Sequence, residues 1–178
     1  MNRREALKSI SVMLGAAVIG SQRFLLGQVN ADAEVFAKRF VEADIALLDE
    51  VGETILPTTA GSQGAKAAKI GEFMREIVST TYGDEDRSTF LTGIGKLDAF
   101  SRARMKRAFM NLKPDERFAL LMEFENGETP RYYSMMKQLT LWGYFSSEVG
   151  ATQALSHLPV PGRWDPCIKV GPEAKPWS

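Results

Sequence analysis

The chain holds one cysteine, Cys167, and one histidine, His157, among its 178 residues. That scarcity excludes a great deal. One of each cannot build a zinc, haem or iron–sulfur site from this chain alone. A single thiol makes no internal disulfide, so stability must come from packing. The sequence contains no Cys-x-x-Cys-His for covalent haem, no Gly-x-Gly-x-x-Gly or P-loop to cradle phosphates, and no Gly-x-Ser-x-Gly nucleophile elbow. Neither sign of charge dominates, with 22 basic residues against 22 acidic ones. Nucleic-acid binding wants a strongly basic face, so nucleic acid is not an expected partner. No segment sustains apolar–polar alternation of period two, and no convincing strand is expected.

What is present begins with an address label. Arg3 and Arg4 are adjacent, Leu7 and Lys8 follow, and an apolar run covers residues 10–20. A charged start followed by a short apolar core is the pattern of an export signal. The run is about eleven residues against the roughly twenty of a membrane span. Gln22 and Arg23 then interrupt it, so a transmembrane helix is the poorer reading. Paired arginines point to the twin-arginine route, which carries folded proteins. An ordinary secretory signal and an uncleaved anchor stay as alternatives. Val29-Asn30-Ala31 offers small residues for cleavage, which sets the expected signal as residues 1–31. No cysteine follows the apolar core, so a lipid anchor there is excluded. The expected location is the periplasm, with membrane association only through partners. The signal takes away more cations than anions, leaving a slightly acidic remainder of a length that suits one domain.

The remainder reads as all-α. A first helix opens at Glu42 or Asp44, with Ile45, Leu48, Val51 and Ile55 on one face, and Pro57 stops it. Residues 58–64 form a small-residue loop. A second helix is expected over 65–82, with Ile70, Phe73, Met74, Ile77 and Val78 as its stripe. A third is expected over 85–111, capped by Asp84 or Asp86 and kinked or split at Gly93 or Gly95. Lys113-Pro114-Asp115-Glu116 starts a short fourth helix carrying Phe118, Leu121, Met122 and Glu125. A fifth runs over 130–156 with Tyr132, Tyr133, Met135, Met136, Leu139, Leu141, Trp142, Tyr144, Phe145 and Val149 around most of its circumference. Such a helix is either the centre of a bundle or half-covered by another protein. The whole is expected to be a single-domain helical bundle over 32–158 with an extended proline-rich tail over 159–178, anchored by Trp164, Cys167 and Trp177.

Residues with reactive side chains are few. His157 suits a helix end, where it donates to the last carbonyls. A nucleophile pair of Cys167 with His157 lacks any orienting group. Arg102, Arg104, Lys106 and Arg107 form either a solvated helix face or a match for an acidic partner. Cys167 has three readings: a bond to a partner chain, a buried inert thiol, or a reactive one. No catalytic, cofactor-binding or metal-binding residue is expected. The candidate partner interface is Trp142, Tyr144, Phe145, Trp164, Cys167 and Trp177.

Two segments carry a resemblance. The first is Ala43-Asp44-Ile45-Ala46-Leu47-Leu48-Asp49-Glu50-Val51-Gly52-Glu53-Thr54-Ile55-Leu56-Pro57-Thr58-Thr59. The second is Tyr144-Phe145-Ser146-Ser147-Glu148-Val149-Gly150-Ala151-Thr152, followed by Leu158-Pro159-Val160-Pro161-Gly162 and an aromatic residue shortly before Cys167. Behind an export signal, this series resembles the gluconate 2-dehydrogenase subunit 3 family. The resemblance implies a small, non-catalytic partner of a flavin dehydrogenase, with no cofactor in this chain. It implies a large subunit similar to the glucose–methanol–choline oxidoreductases, bearing FAD and in some cases an iron–sulfur cluster, that oxidises a sugar or sugar acid. A cytochrome c subunit often takes the electrons onward. The small chain would supply the export signal for both, and by the same analogy Cys167 would bond to the large subunit. The other expectation left open is a free-standing exported helical binding or scaffold module.

Overall fold

A computed structural model describes residues 28–156 and, beyond them, residues 160, 162, 167, 169, 171 and 174–176. Six α-helices follow one another in that region: α1 (Gln28–Ala37), α2 (Glu42–Ile55), α3 (Ile70–Thr80), α4 (Asp84–Met105), α5 (Pro114–Asn126) and α6 (Arg131–Ser146). Among the described residues there is no β-strand; an isolated bridge joins Thr59 and Ser62. No described helix is long and apolar enough to cross a membrane. The expected all-α bundle is what forms.

Helix α2 lies where its apolar spacing places it, with Ile45, Leu48 and Val51 buried. Its start is fixed by Asp44, whose carboxylate accepts from the Val41 amide at 3.0 Å. Helix α6 packs against α2, α3 and α4, and α2 also meets α5. The shared core holds Leu48, Val51, Ile70, Met74, Phe90, Leu97, Leu120 and Met136. Each such side chain taken fully out of water contributes about 1.5–3 kcal/mol.

Helix α1 is one that the apolar spacing does not reveal, and it crosses the boundary expected at residue 31. It is held by Phe36, and the turn after it by Phe40. The two rings meet edge-on at 6.0 Å, and Phe40 lies 6.3 Å from Phe90.

Three helices differ from their expected lengths. The stretch expected as one helix over 65–82 is a tight 3₁₀ turn (Ala65–Ala68), a left-handed residue at Lys69 (φ 53°), and then α3. Asp49 sets this break, because its carboxylate accepts the Gly71 amide at 2.8 Å and so caps α3. Helix α4 stops at Met105 instead of reaching 111. Lys106 turns left-handed (φ 59°), Ser101 Oγ donates to the Arg107 carbonyl at 2.8 Å, and Asp98 accepts the Phe109 amide at 2.9 Å. Gly93 and Gly95 do not divide it. Gly93 instead admits the Tyr132 side chain, which a Cβ there would overlap. Helix α6 ends at Ser146 instead of 156. Ser147 is extended, and its hydroxyl donates to the Tyr144 carbonyl at 2.7 Å and accepts the Gly150 amide at 3.1 Å. The chain then restarts as one wide turn (Gly150–Ala154).

Candidate functional site

The acids of the first resembling segment turn out to be builders of the bundle. Asp49 caps α3. Glu50 lies in an ion-paired cluster with Lys66 and Arg117. Arg117 also donates to the carbonyls of Phe109 (3.2 Å) and Met110 (2.8 Å) and lies over the Phe109 ring. This ties α2, the turn before α5, and α5 into one unit. Glu53 receives the amide and hydroxyl of Thr58 (2.9 and 2.8 Å) and the amide of Lys66 (3.0 Å). It organises the loop after α2. Burial pushes the Asp49 carboxyl above its ordinary value, although the Gly71 amide pulls the other way. Burial would also raise Glu50, but the Lys66 hydrogen bond and the Arg117 charge hold it below its ordinary value.

The second resembling segment meets the first in space. The Tyr144 phenol is buried, donates to the Gln63 carbonyl at 2.7 Å and bonds with Ser62 Oγ. The Gln63 amide donates to Gln153 Oε1 at 2.8 Å. Tyr144 therefore stands inside the bundle and clamps the loop after α2 to the end of α6. Its place among the expected interface residues is corrected accordingly.

The rest of α6 presents a two-sided helix. Tyr133, Met136, Leu139, Thr140 and Gly143 are buried. Leu141, Trp142 and Phe145 are exposed, Trp142 by 52%. These three share one face by their spacing of three and four. The Trp142 ring meets Phe73 of α3 edge-on at 5.6 Å. Gly143 makes room for that contact, since a Cβ there would run into the Phe73 ring. The helix is apolar on two sides because one side is core and the other carries an exposed aromatic stripe.

The remaining expected site residues fall as follows. Arg3, Arg4, Leu7 and Lys8 lie outside the described residues, as do His157, Trp164 and Trp177. Cys167 is exposed, so the reading of a buried inert thiol does not hold. Arg102 pairs with Asp98 at 2.8 Å, Arg104 with Glu123 at 3.1 Å, and Arg107 with Glu116 at 2.5 Å. Three of those four cations are thus matched within the chain, and the solvated-face reading fits. Tyr133 is buried and its phenol is pushed upward by desolvation and by Glu125 beside it.

Two features escaped the sequence reading. Phe118, expected only as a residue of the fourth helix, is 57% exposed. The buried face of α5 is Leu120, Leu121 and Phe124, with Arg117 continuing it one turn earlier. Arg117 stands three and four residues before Leu120 and Leu121, and that spacing is the signal the sequence offers. Arg87 was also missed. It donates to the carbonyls of Val78 (3.3 Å) and Ser79 (2.6 Å) at the end of α3, and lies over Phe36.

Among the described residues no group of three His, Cys, Asp or Glu side chains could hold a metal ion. The molecule is of the class of all-α bundles that display an aromatic helix face, with Asp49, Glu50 and Glu53 engaged in internal scaffolding. Residues 42–162 match the family model described as gluconate 2-dehydrogenase subunit 3, and the chain belongs to that family. It is therefore, at the level the family describes, a subunit of a dehydrogenase complex. No curated protein and no solved structure matches it.

Proposed function

We propose that the chain is the non-catalytic small subunit of a periplasmic, FAD-dependent dehydrogenase of sugars or sugar acids. Its large partner would be of the glucose–methanol–choline type, bearing the FAD and, in some such complexes, an iron–sulfur cluster, with a cytochrome c as onward acceptor. The small chain has two tasks in this reading. It carries the export signal for the pair through Arg3, Arg4, Leu7 and Lys8, and it stabilises the catalytic subunit by covering its surface. Membership of a dehydrogenase-subunit family supports the setting.

The observation that carries the partner role is the Leu141–Trp142–Phe145 stripe. A tryptophan left half in water on a helix whose other side is core forgoes burial on the order of 1–2 kcal/mol. Contact with a second protein recovers it. Exposed apolar clusters of this kind mark interaction surfaces.

The test is purification of the C-terminally tagged chain from the periplasm, with its absorption spectrum and co-eluting bands. A large partner with a flavin spectrum is the expected result. A colourless, well-behaved single chain would overturn the reading and favour a free-standing helical module. The resemblance further suggests a covalent link through Cys167. A non-reducing gel should then show a heterodimer band that Cys167→Ser abolishes, and no such band in wild type would dispose of the link.

A further inference from the structure

On the side of the bundle that carries Phe118, two adjoining hollows that share Thr54 and Phe118 make a groove along α2 and α5, closed on one side by Tyr133 and Lys137 of α6. Its middle is apolar, formed by Ile55, Phe118, Leu121 and Met122. One end continues past Pro57 and Thr58 to Glu53 and Asp115. The other end reaches Glu125 and Lys137, which pair with each other at 2.7 Å. The charge along the groove is uneven. Arg117 is engaged by Glu50 and two backbone carbonyls, and Lys137 by Glu125. Among the described residues neither Glu53 nor Asp115 pairs with a cationic side chain; Glu53 is held by amides and a hydroxyl alone. An apolar trough thus ends in two carboxylates without counter-charges.

We propose that this groove seats a basic amphipathic helix of the catalytic subunit. Its apolar side rests on Phe118 and Met122, and its Lys or Arg side chains face Glu53 and Asp115. From Asp115 to Glu125 helix α5 rises about 15 Å, which matches about three turns of a helix laid alongside it. Helix-in-groove recognition needs that length, with anchors spaced three or four residues apart. Phe118 is the expected hot spot, an exposed aromatic in the middle of the contact. The carboxylates select the sign and orientation of the incoming helix. The inference rests on the reading of the chain as an accessory subunit, and it adds a second contact to the Trp142 stripe.

The test uses the purified complex, with its dissociation followed by size exclusion on dilution at about 50 and about 500 mM salt. Wild type should dissociate more readily at the higher salt. Phe118→Ser should raise the dissociation constant at least tenfold. Asp115→Lys should raise it severalfold and flatten the salt dependence. Both side chains lie at the surface, so unchanged circular dichroism and melting temperature are expected and serve as the folding check. If both variants match wild type while Trp142→Ser falls apart, the groove proposal is overturned and the accessory reading stands. If wild type brings down no flavin-bearing large subunit, both fall together.

Discussion

Glu50 is the residue on which the junction of α2 and α5 turns. Its two oxygens serve Lys66 and Arg117, and Arg117 is largely shielded from water. Glu50→Gln would leave that guanidinium without its counter-charge and should cost about 2 kcal/mol, read from denaturant unfolding at neutral pH. The pH dependence follows from the lowered carboxyl of Glu50. Its contribution is present above the unfolded-state value and is lost as pH falls through the folded-state value. The stability gap between wild type and Glu50→Gln should therefore close in acid. A gap that persists at low pH would mean that the pair is not what stabilises the junction. Asp49 has the opposite sign, because burial raises it. Relative to the unfolded chain the fold favours its neutral form, so that contribution is present below the unfolded-state value and is lost as pH rises through the folded value. Tyr144→Phe keeps the ring and removes the phenol. Loss of its bonds to Gln63 and Ser62 should cost about 1–2 kcal/mol, with little change in helix content. The type of these residues was plain in the sequence, but their roles were not. Asp49, Glu50 and Glu53 lie on the polar side of an amphipathic helix, and nothing in their spacing says that amide 71 would be brought to Asp49, amides 58 and 66 to Glu53, and the Lys66 and Arg117 side chains to Glu50.

Helix existence, α1 apart, was legible from apolar spacing, helix length much less so. The stripe of Ile70, Met74 and Val78 identifies α3, and Pro114 with Asp115 and Glu116 identifies the start of α5. The breaks at Lys69, Lys106 and Ser147 have no strong local marker. Each is imposed by a capping side chain that arrives from elsewhere or from the helix end itself: Asp49, Asp98 and the Ser147 hydroxyl. Crossing geometry gives a test at this scale. A Cβ at position 71 would run into the Ile45 backbone carbonyl, which cannot swing aside. Gly71→Ala should destabilise by about 1–3 kcal/mol as α2 and α3 are forced apart. Gly95, inside α4, has nothing within 4 Å of the same atom. Gly95→Ala should instead stabilise by about 0.5–1 kcal/mol, since alanine is the better helix former. Thermal melts of the two variants should move in opposite directions. If they shift alike, the contact between α2 and α3 is looser than the bundle shows.

At the scale of the whole molecule, the prediction concerns export and assembly together. Under the escort role proposed above, replacing Arg3 and Arg4 by lysines should hold both this chain and the proposed catalytic partner in the cytoplasm, as fractionation with dehydrogenase activity would show. Normal arrival of the pair in the periplasm would end the escort role. Trp142→Ser should leave the bundle folded, because that ring is half in water already, and should weaken the complex. The sequence alone determined the fold class, the family resemblance, the absence of an internal disulfide, and an over-apolar last helix. These follow from residue counts and from helical periodicity, which are local properties of the chain. Only the tertiary structure decided which side of that helix is core. It placed Tyr144 inside and Trp142 outside, turned Phe118 toward solvent and Arg117 inward, and joined residues 58–64 to the end of α6. Those outcomes depend on which carbonyls, carboxylates and rings arrive from distant parts of the chain. A buried cation or an exposed aromatic is set by its neighbours in space, and periodicity along the chain carries no record of them.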